Sequence, residues 1–272
     1  MKKTESALLC GAMFLVCMAQ SGRQTQAASS KRIADPIRAL LVLGGCCHDY
    51  AGQTKVLADG ISARANVVWT IVHEGDQDGK DHKFALYEKP DWSKGFDVVL
   101  HDECSGAVTN VAWIEQIARA HFDGTPAVVL HCAIHSYRNA QTDQWRKVLG
   151  VSSFQHQPLR DFTVEIVRPD HPVTRGMPVR WTEAADELYE IKKVWPDCIP
   201  LAESLTPGKE SDRHAAIWLN TCGKARVFGT TLGHSTTTVK QDQYLDLVTR
   251  GLLWACNKLD DTGKPAPGYG KP

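Results

Sequence analysis

The stretch VVLHCAIHSYR, residues 128–138, decides our interpretation of the fold. Its first three residues are apolar and two of them are β-branched, which predicts a buried strand that ends where polar side chains begin. In an open α/β sheet, ligands bind beyond the carboxyl ends of the strands. His131, Cys132 and His135 are therefore the first candidates for chemistry.

Three earlier segments are short apolar runs of the same kind: 38–43, 67–72 and 96–100. Helical spacing of apolar residues over 53–64 and 108–121 lies between members of this series. Near-continuous apolar runs are typical of strands covered on both faces, and their alternation with helices indicates a parallel sheet. We therefore predict an α/β fold, a flavodoxin-like or Rossmann-like three-layer sandwich with a mostly parallel sheet.

The pattern changes after residue 138. Residues 144–149 have helical spacing, whereas 162–167 and 188–191 alternate between apolar and polar residues like half-exposed strands. We interpret 151–213 as an inserted or extended β region that covers the site.

Core-like strands return towards the C-terminus. Segments 215–219 and 225–232 flank a short polar turn, which predicts an antiparallel hairpin, and helical spacing follows over 242–257. These elements complete an α/β domain that we bound at 38–258. The tail, 259–272, contains prolines and glycines and is predicted to be disordered.

The N-terminal residues 1–27 have the order of a secretory signal. Two lysines are followed by an apolar run over 7–19 and then by small residues near Ala27. The run is too short to span a bilayer as a helix, which takes about 20 residues. We predict cleavage near Ala27, a polar linker over 28–37, and a periplasmic or secreted protein with no membrane attachment after cleavage.

Charge gives little reason to expect a polyanionic partner. Removal of the predicted signal takes away three of 31 basic and one of 31 acidic residues, which leaves a net charge of −2. A chain with this balance has no general attraction for nucleic acid or for an anionic membrane surface. We expect a small-molecule ligand and no nucleic acid.

Two of the nine cysteines lie in the predicted signal, so seven remain. An odd number in an oxidising compartment leaves at least one thiol unpaired or bonded to another chain. No C-x-x-C pair occurs, so neither a zinc ribbon nor a thioredoxin-like site is indicated. Most of these cysteines lie in apolar patterns, where cysteine acts as a small buried hydrophobic residue.

Polar residues follow the first predicted strand, which ends at Gly44 and Gly45. The chain has no G-x-G-x-x-G and no Gly-Lys-Ser/Thr, so a nucleotide site is disfavoured. The glycines instead predict a tight turn that places His48 and Asp49 at the carboxyl end of the strand. Residues 101–104, at the end of the third strand, are polar as well, and an exposed loop explains them equally well.

Three histidines fall at predicted strand ends: His48, His131 and His234. His135 lies one helical turn beyond His131. If a helix begins at Cys132, His135 faces back over the sheet edge, and all four imidazoles converge on one pocket.

Such a pocket suits a divalent metal ion. Zinc or a similar ion is compatible with His48, His135 and His234 as ligands, together with a carboxylate from Asp49 or Glu187. The alternative is that each histidine makes only a structural hydrogen bond. No cofactor other than a zinc-like ion is indicated.

Cys132 is the candidate for covalent chemistry, because neighbouring imidazoles would lower its pKa and favour the thiolate. A nucleophile elbow, however, usually needs glycines on both sides of the nucleophile. Here the flanking residues are Leu130 and Ile134, and the chain has no G-x-S-x-G. A cysteine or serine nucleophile is therefore disfavoured.

Aromatic residues offer a second kind of ligand contact. The flat face of a tryptophan can stack on a sugar ring, and Trp145, Trp181 and Trp195 lie in or near the inserted region. Most tryptophans are expected in the core, with one or two at the site.

Several of these stretches occur together in a fixed order: Gly44-Gly45 with His48-Asp49, then 129–135, 170–176, 186–189, 226–234 and 244–255. In this order they resemble the ThuA-like family, named for a trehalose-utilisation protein. The resemblance covers about 38–257, nearly the whole mature domain.

The resemblance implies a single flavodoxin-like domain, similar in fold to class I glutamine amidotransferases, and a role in carbohydrate metabolism on glycosides or keto-sugars. The polar positions that match the family are His48, Asp49, His131, His135, Glu187 and His234. Compared with amidotransferases, the chain lacks a glycine-flanked cysteine and has His234-Ser235 where His-x-Glu is expected. Glutamine hydrolysis is therefore disfavoured.

Three hypotheses follow for function. The first is a carbohydrate-processing enzyme whose histidines and a carboxylate perform acid–base or metal-assisted chemistry. The second is a non-catalytic sugar-binding module that uses the same pocket. The third is a cysteine-dependent, amidase-like hydrolase. The sequence leaves the sugar, the disulfide pairing and the oligomeric state open.

Overall fold

The computed structural model describes Met1 and residues 34–75 and 79–271. By its internal contacts the chain divides into two units, 1–32 and 33–272. The predicted signal peptide and residues 28–33 of the predicted linker lie outside the described residues, apart from Met1. The first strand already begins at Ile37, the last residue of that linker.

Eleven strands occur in the described part of the chain: β1 (Ile37–Gly45), β2 (Val67–Glu74), β3 (Val98–Cys104), β4 (Ala127–Leu130), β5 (Val151–His156), β6 (Arg160–Ile166), β7 (Arg180–Asp186), β8 (Tyr189–Val194), β9 (Ile199–Thr206), β10 (Lys209–Cys222) and β11 (Ala225–Thr230). The α-helices are α1 (Tyr50–Ser62), α2 (Val111–Phe122), α3 (Gln144–Leu149), α4 (Thr236–Val239) and α5 (Asp242–Ala255). Short 3₁₀ turns occupy Ala85–Glu88 and His131–Ile134.

Among the described residues, nine strands form one sheet in the order β2-β1-β3-β4-β11-β10-β9-β6-β7. The strands from β2 to β11 in this order are all parallel, whereas β10, β9, β6 and β7 are added antiparallel to their neighbours. The inner strands β1 and β4 are apolar and almost fully buried, as expected of strands covered on both faces, whereas the edge strand β2 is partly exposed. The predicted α/β fold with a mostly parallel core and an extended β region is confirmed.

Helices pack on both faces of the sheet. Leu57 of α1 and Val248 of α5 lie in one hydrophobic cluster, and Ile114 of α2 and Val148 of α3 lie in the other. This arrangement is the predicted three-layer sandwich. Within the described ranges, the structure contains no helix of the length and apolar character needed to cross a membrane.

The predicted insertion, 151–213, contributes strands in two ways. β5 and β8 form a separate antiparallel pair, whereas β6, β7 and β9 extend the main sheet. Strands β5, β7 and β9 were not predicted. Most of β7 is polar and partly exposed, and β9 contains Pro200, so their pairing partners rather than local pattern make them strands.

The prediction of a disordered tail over 259–272 is wrong for the residues that the structure describes, 259–271. The backbone N–H of Asn66 donates to the carbonyl of Tyr269 at 3.0 Å, and the Asn66 side-chain amide donates to the carbonyl of Gly268 at 3.2 Å. Ala266 donates to Lys258 at 2.7 Å. Prolines and glycines preclude a helix here, but hydrogen bonds to the domain order the backbone without one.

Candidate functional site

The turn after β1 brings two strand ends into close contact. Gly44 and Gly45 have φ of +123° and +88°. A Cβ at Gly45 would lie 2.2 Å from the carbonyl oxygen of Cys104, so only glycine allows β1 and β3 to approach this closely. This approach places His48 above the carboxyl ends of the parallel strands, as the sequence predicts.

His48 and His131 are buried, and backbone carbonyls determine their tautomers. Nδ1 of His48 lies 3.0 Å from the carbonyl oxygen of His234, and Nδ1 of His131 lies 2.6 Å from that of Thr231. A carbonyl oxygen only accepts hydrogen bonds, so both Nδ1 atoms must donate. Each imidazole, when neutral, therefore carries its lone pair on Nε2.

Glu187 lies directly after β7 and faces two of the histidines. Its Oε2 is 3.3 Å from Nε2 of His131, and its Oε1 is 3.3 Å from Nδ1 of His234. Burial raises the pKa of the Glu187 carboxyl, but the interactions with His131 and His234 lower it by a larger amount. The net pKa therefore lies well below its ordinary value. Glu187 is therefore a carboxylate at neutral pH.

The neighbouring Asp186 holds the loop that carries His234. Its carboxylate accepts hydrogen bonds from the backbone N–H groups of Gly233 at 2.9 Å and of His234 at 3.3 Å. Asp186 thus positions the backbone of His234, and Glu187 contacts its ring.

The pKa values of His48 and His234 are shifted in opposite directions. Burial, followed by the charges of His131 and His234, lowers the pKa of His48 to about 3. Its interaction with Glu187 raises the pKa of the half-buried His234. The pocket therefore holds a neutral imidazole beside one that readily takes a proton.

His135 lines the same cavity as His48 and His234, but the group of close ring nitrogens contains His131 in its place and so differs in one member from the predicted metal set. Nε2 of His135 lies 2.9 Å from Oγ of Ser153, and its ring stacks on Tyr189 at 3.9 Å between centroids. Residues 131–134 form a 3₁₀ turn rather than the expected α-helix. Four residues on, a side chain is rotated by about 120° in a 3₁₀ turn but by only about 40° in an α-helix.

The third member of the cluster is His131. One ring nitrogen from each of His48, His131 and His234 lies within 4.8 Å of the others. His131 reaches this position with φ of +36°, a left-handed conformation that a histidine adopts only when its surroundings impose it.

Asp49, predicted as a site residue, instead caps α1. Its Oδ1 accepts from the backbone N–H of Gly52 at 3.0 Å, and its Oδ2 accepts from the hydroxyl of Thr236 at 2.9 Å. A short acidic side chain directly before a helix is a preferred N-cap. The position that looked like half of a His-Asp pair is explained by helix capping.

The cluster opens into a cavity of about 250 Å³. The lining residues that sequence reasoning missed are Cys47, Lys80, Cys104, Gly106, Arg138, His156 and Tyr189. Arg138 and Tyr189 lie in motifs that the sequence did single out, next to the residues chosen from them. Of the eight tryptophans, all within the described ranges, none lines this cavity; Tyr189, whose ring stacks on His135, is part of the lining.

A larger cavity, about 1260 Å³, lies at the amino-terminal ends of the parallel strands, near the start of β1. Residues such as Arg38, Asp97 and Arg119 line it, and no histidine does. Ligands of open α/β sheets bind at the carboxyl ends of the strands, so the smaller cavity is the better candidate.

The polar residues at the end of β3 do not form an exposed loop, and of residues 101–104 only Cys104 lines the candidate cavity. His101 and Glu103 are fully buried, with Nδ1 of His101 2.8 Å from Oε1 of Glu103. The Tyr87 hydroxyl donates to the same carboxylate at 2.8 Å, and His121 contacts His101 at 3.1 Å between Nε2 atoms. This network lies within the layer of α2 and supports the core.

Four cysteines are paired as Cys46–Cys47 and Cys104–Cys132. The other cysteines among the described residues are free thiols, Cys198, Cys222 and Cys256, and burial raises the pKa of each to about 12. Cys198 and Cys222 are the small buried residues that the sequence predicts, whereas Cys256 is partly exposed. Cys132, bonded to Cys104, has no free thiol for attack.

The donor set suits a divalent ion. Nε2 of His131 has no hydrogen-bond partner within the described residues, and it faces a carboxylate that likewise only accepts. A proton on that nitrogen or a cation between the two groups would satisfy both. Metal-bound histidines usually donate their other N–H to a carbonyl, as His48 and His131 do here.

Comparison with known proteins gives a consistent result. The family model ThuA, described as trehalose utilisation, matches residues 53–255. The fold is similar to ThuA-like proteins from Parabacteroides merdae, with 19% identity, TM-score 0.62 and coverage of 86% of this chain and 96% of that one. A ThuA-like protein from Bacteroides uniformis gives 18% identity, TM-score 0.62 and coverages of 85% and 95%.

A weaker likeness is to a β-galactosidase from Bacillus circulans, with 11% identity, TM-score 0.52 and coverage of 84% of this chain and 31% of that one. At such identities these likenesses concern the fold alone. No curated protein sequence matched.

Proposed function

This chain belongs to the ThuA family, and from that premise we propose that it is a carbohydrate-processing enzyme that acts on a glycoside or keto-sugar. The observation that carries the proposal is the position of Glu187, whose two oxygens each lie 3.3 Å from a histidine nitrogen. A carboxylate held between imidazoles is an arrangement for moving protons.

The residues divide the work by their environments. Glu187 stays ionised and holds a proton on His234, whose pKa it raises. The protonated His234 can donate to a sugar oxygen, and Glu187 orients it while it does so. His48, whose pKa burial lowers to about 3, lies in the same cavity as His234 and can accept a proton or bind a cation together with His131.

A zinc-like ion fits the same residues: the imidazoles of His48, His131 and His234 and the Glu187 carboxylate. Such an ion would polarise a bound carbonyl or hydroxyl oxygen. The protein's own contribution is to fix the two tautomers through the carbonyls of His234 and Thr231.

The cavity suits a small polar ligand. Its volume, about 250 Å³, lies just below the range of about 300–1,000 Å³ that is usual for drug-sized ligands. Lys80 and Arg138 line the cavity and can donate to the hydroxyls of a sugar. We infer a substrate whose reacting sugar unit is a single ring.

Two other functions remain as alternatives. A non-catalytic sugar-binding module would use the same basic residues without turnover. A cysteine-dependent hydrolase would need Cys132 as a free thiol, which its bond to Cys104 prevents. The N-terminal sequence also supports our proposal of export to the periplasm or the exterior, where such bonds persist.

The test combines metal binding with turnover. The purified chain is depleted of metal, titrated with Zn²⁺ and screened against glycosides and their oxidised keto forms. We expect one Zn²⁺ to bind per chain and one member of the panel to be turned over. In His48→Ala, the affinity for Zn²⁺ and the turnover rate should each fall at least about a hundredfold. His171→Ala, in a family motif but outside the cavity, is the control and should match the wild type.

Sugar binding without turnover, with or without Zn²⁺, would contradict the enzyme hypothesis and support a non-catalytic sugar-binding module. Turnover that survives His48→Ala but is abolished by thiol alkylation would favour the cysteine hydrolase.

A further inference from the structure

The four bonded cysteines form one cluster at the carboxyl ends of β1, β3 and β4, beside the candidate site. We call Cys46, Cys47, Cys104 and Cys132 the sulfur cluster. The two disulfides are in contact, because Sγ of Cys46 lies 3.6 Å from Sγ of Cys104. Sulfur atoms at van der Waals distance can exchange bonding partners without a large movement of the chain.

We propose that the sulfur cluster is a thiol–disulfide exchange centre that takes a dithiol reductant at Cys47 and releases the thiol of Cys132 into the cavity. The inference goes beyond the proposed function, since it requires neither a sugar nor a metal.

Accessibility decides where the reductant enters. Cys47 is exposed, whereas Cys46, Cys104 and Cys132 are 5%, 5% and 6% exposed. An incoming thiolate must approach the sulfur that it attacks, so Cys47 is the accessible target. Cys47 also has φ of +84°, a conformation that is unfavourable for a residue with a side chain.

The exchange then proceeds in three balanced steps. A thiolate of the reductant attacks Sγ of Cys47, and Cys46 leaves as a thiolate. The second thiol of the reductant displaces Cys47, so the reductant departs as a cyclic disulfide. The Cys46 thiolate attacks Sγ of Cys104, which forms Cys46–Cys104 and expels Cys132 as a thiolate.

The net change consumes one dithiol and leaves one disulfide and two thiols. The two hydrogens of the reductant end on Cys47 and Cys132, and the reductant is oxidised by two electrons. The geometry favours Cys104 as the target, because it is the sulfur that Cys46 contacts.

The products of exchange face the candidate site. Cys47 and Cys132 both line the cavity that contains His48, Glu187 and His234. Reduction would therefore place two thiols in the cavity while the Cys46–Cys104 bond kept β1 tied to β3.

The experiment maps thiols in the purified full chain, without sugar or added metal. The protein is treated with one equivalent of dithiothreitol, alkylated under native conditions and digested without further reduction for mass spectrometry. We expect alkylation of Cys47 and Cys132 in equal amounts and a Cys46–Cys104 linked peptide. The untreated protein should show neither.

Several results would overturn the proposal. Alkylation of Cys46 and Cys47 with Cys104–Cys132 intact would show reduction without exchange. Alkylation of Cys104 and Cys132 with Cys46–Cys47 intact would show direct entry at the wrong bond. Reaction of the cluster cysteines in the untreated protein would show that the disulfides do not form.

A variant pair tests the role of Cys46 directly. Cys46→Ser removes the attacking sulfur, so alkylation of Cys132 after one equivalent of reductant should fall about tenfold. Cys222→Ser, a buried free thiol outside the cluster, should behave as the wild type. Equal alkylation of Cys132 in all three proteins would contradict exchange through Cys46.

Discussion

Oε2 of Glu187 lies 3.3 Å from Nε2 of His131, and the two residues approach from opposite halves of the domain. His131 directly follows β4 of the parallel core, whereas Glu187 directly follows β7 at the far edge of the sheet. The extended β region therefore does more than cover the site, because it supplies the carboxylate of the candidate centre.

Loss of that carboxylate should weaken zinc binding. Glu187→Gln keeps the side-chain volume but removes the negative charge that faces His131 and His234, so we expect the affinity for Zn²⁺ to fall by about 10- to 100-fold. Calorimetric titration measures this. Glu190→Gln, three residues away and paired with Lys192, is the matched control. Equal affinities of the two variants would exclude Glu187 as a ligand.

Substitution of His135 should leave zinc binding intact. His135→Phe preserves the stacking on Tyr189 and loses the contact with Ser153. Because His131 completes the cluster instead, we expect a Zn²⁺ affinity within about twofold of the wild type, well inside the 10-fold that 1.4 kcal/mol represents. A loss as large as that of His131→Ala would restore His135 as a ligand.

The turn between β1 and the site should tolerate no side chain. In Gly45→Ala the new Cβ meets the carbonyl of Cys104 at 2.2 Å, and we expect a loss of more than about 4 kcal/mol in the free energy of unfolding. Gly95→Ala has a similar φ, +94°, with no atom within 4 Å of the new Cβ. It should cost only about 1–2 kcal/mol. Urea denaturation of both variants separates the clash from the backbone strain, and equal losses would dismiss the clash.

The buried network of His101, Glu103 and His121 should make the free energy of unfolding decrease at acidic pH. Burial, followed by the charge of His101, lowers the pKa of His121 to about 3. His101 with Glu103 behind it, Trp92 and Trp145 face this ring. In the unfolded chain a histidine has a pKa near 6.5, so between pH 6.5 and 3 the unfolded state binds the extra proton.

Stability that depends on neutral His121 is therefore complete above pH 6.5 and is lost as the pH falls towards 3. Each unit of pH in that window costs at most about 1.4 kcal/mol per histidine. His121→Gln should flatten the dependence of the unfolding free energy on pH by about that slope, measured by urea denaturation from pH 7 to 4. His171→Gln, at a half-buried position, should flatten it less. Parallel curves for wild type and His121→Gln would contradict a buried neutral His121.

The ordered C-terminal segment should contribute to stability through Asn66. Its side-chain amide donates to the carbonyls of Ala34 at 3.0 Å and Gly268 at 3.2 Å, and so joins both ends of the domain. Asn66→Ala leaves these acceptors without partners and should cost about 1–3 kcal/mol. Asn139→Ala, at an exposed position, should stay within about 0.5 kcal/mol. A thermal unfolding comparison that shows no difference would mean that the tail is held by other contacts.

The amino-acid sequence was sufficient to predict the α/β architecture. The apolar runs of β1, β3 and β4 indicate strands buried on both faces, and the glycines at 44 and 45 mark the turn that follows. These signals are local, because periodicity and backbone conformation depend on residues adjacent in the chain. The same logic placed His48, His131 and His234 at strand ends, and the structure brings them together.

Only the tertiary structure decided which polar residues belong to the site. Asp49 caps α1, and one 3₁₀ turn directs the ring of His135 towards Ser153 rather than towards the other three histidines. The contacts of Glu187 with His131 and of Cys46 with Cys104 join residues 56 and 58 positions apart. Such contacts depend on how strands order themselves in the sheet, and the energy of that ordering comes from packing and hydrogen bonds between distant segments, which no local pattern of residues contains.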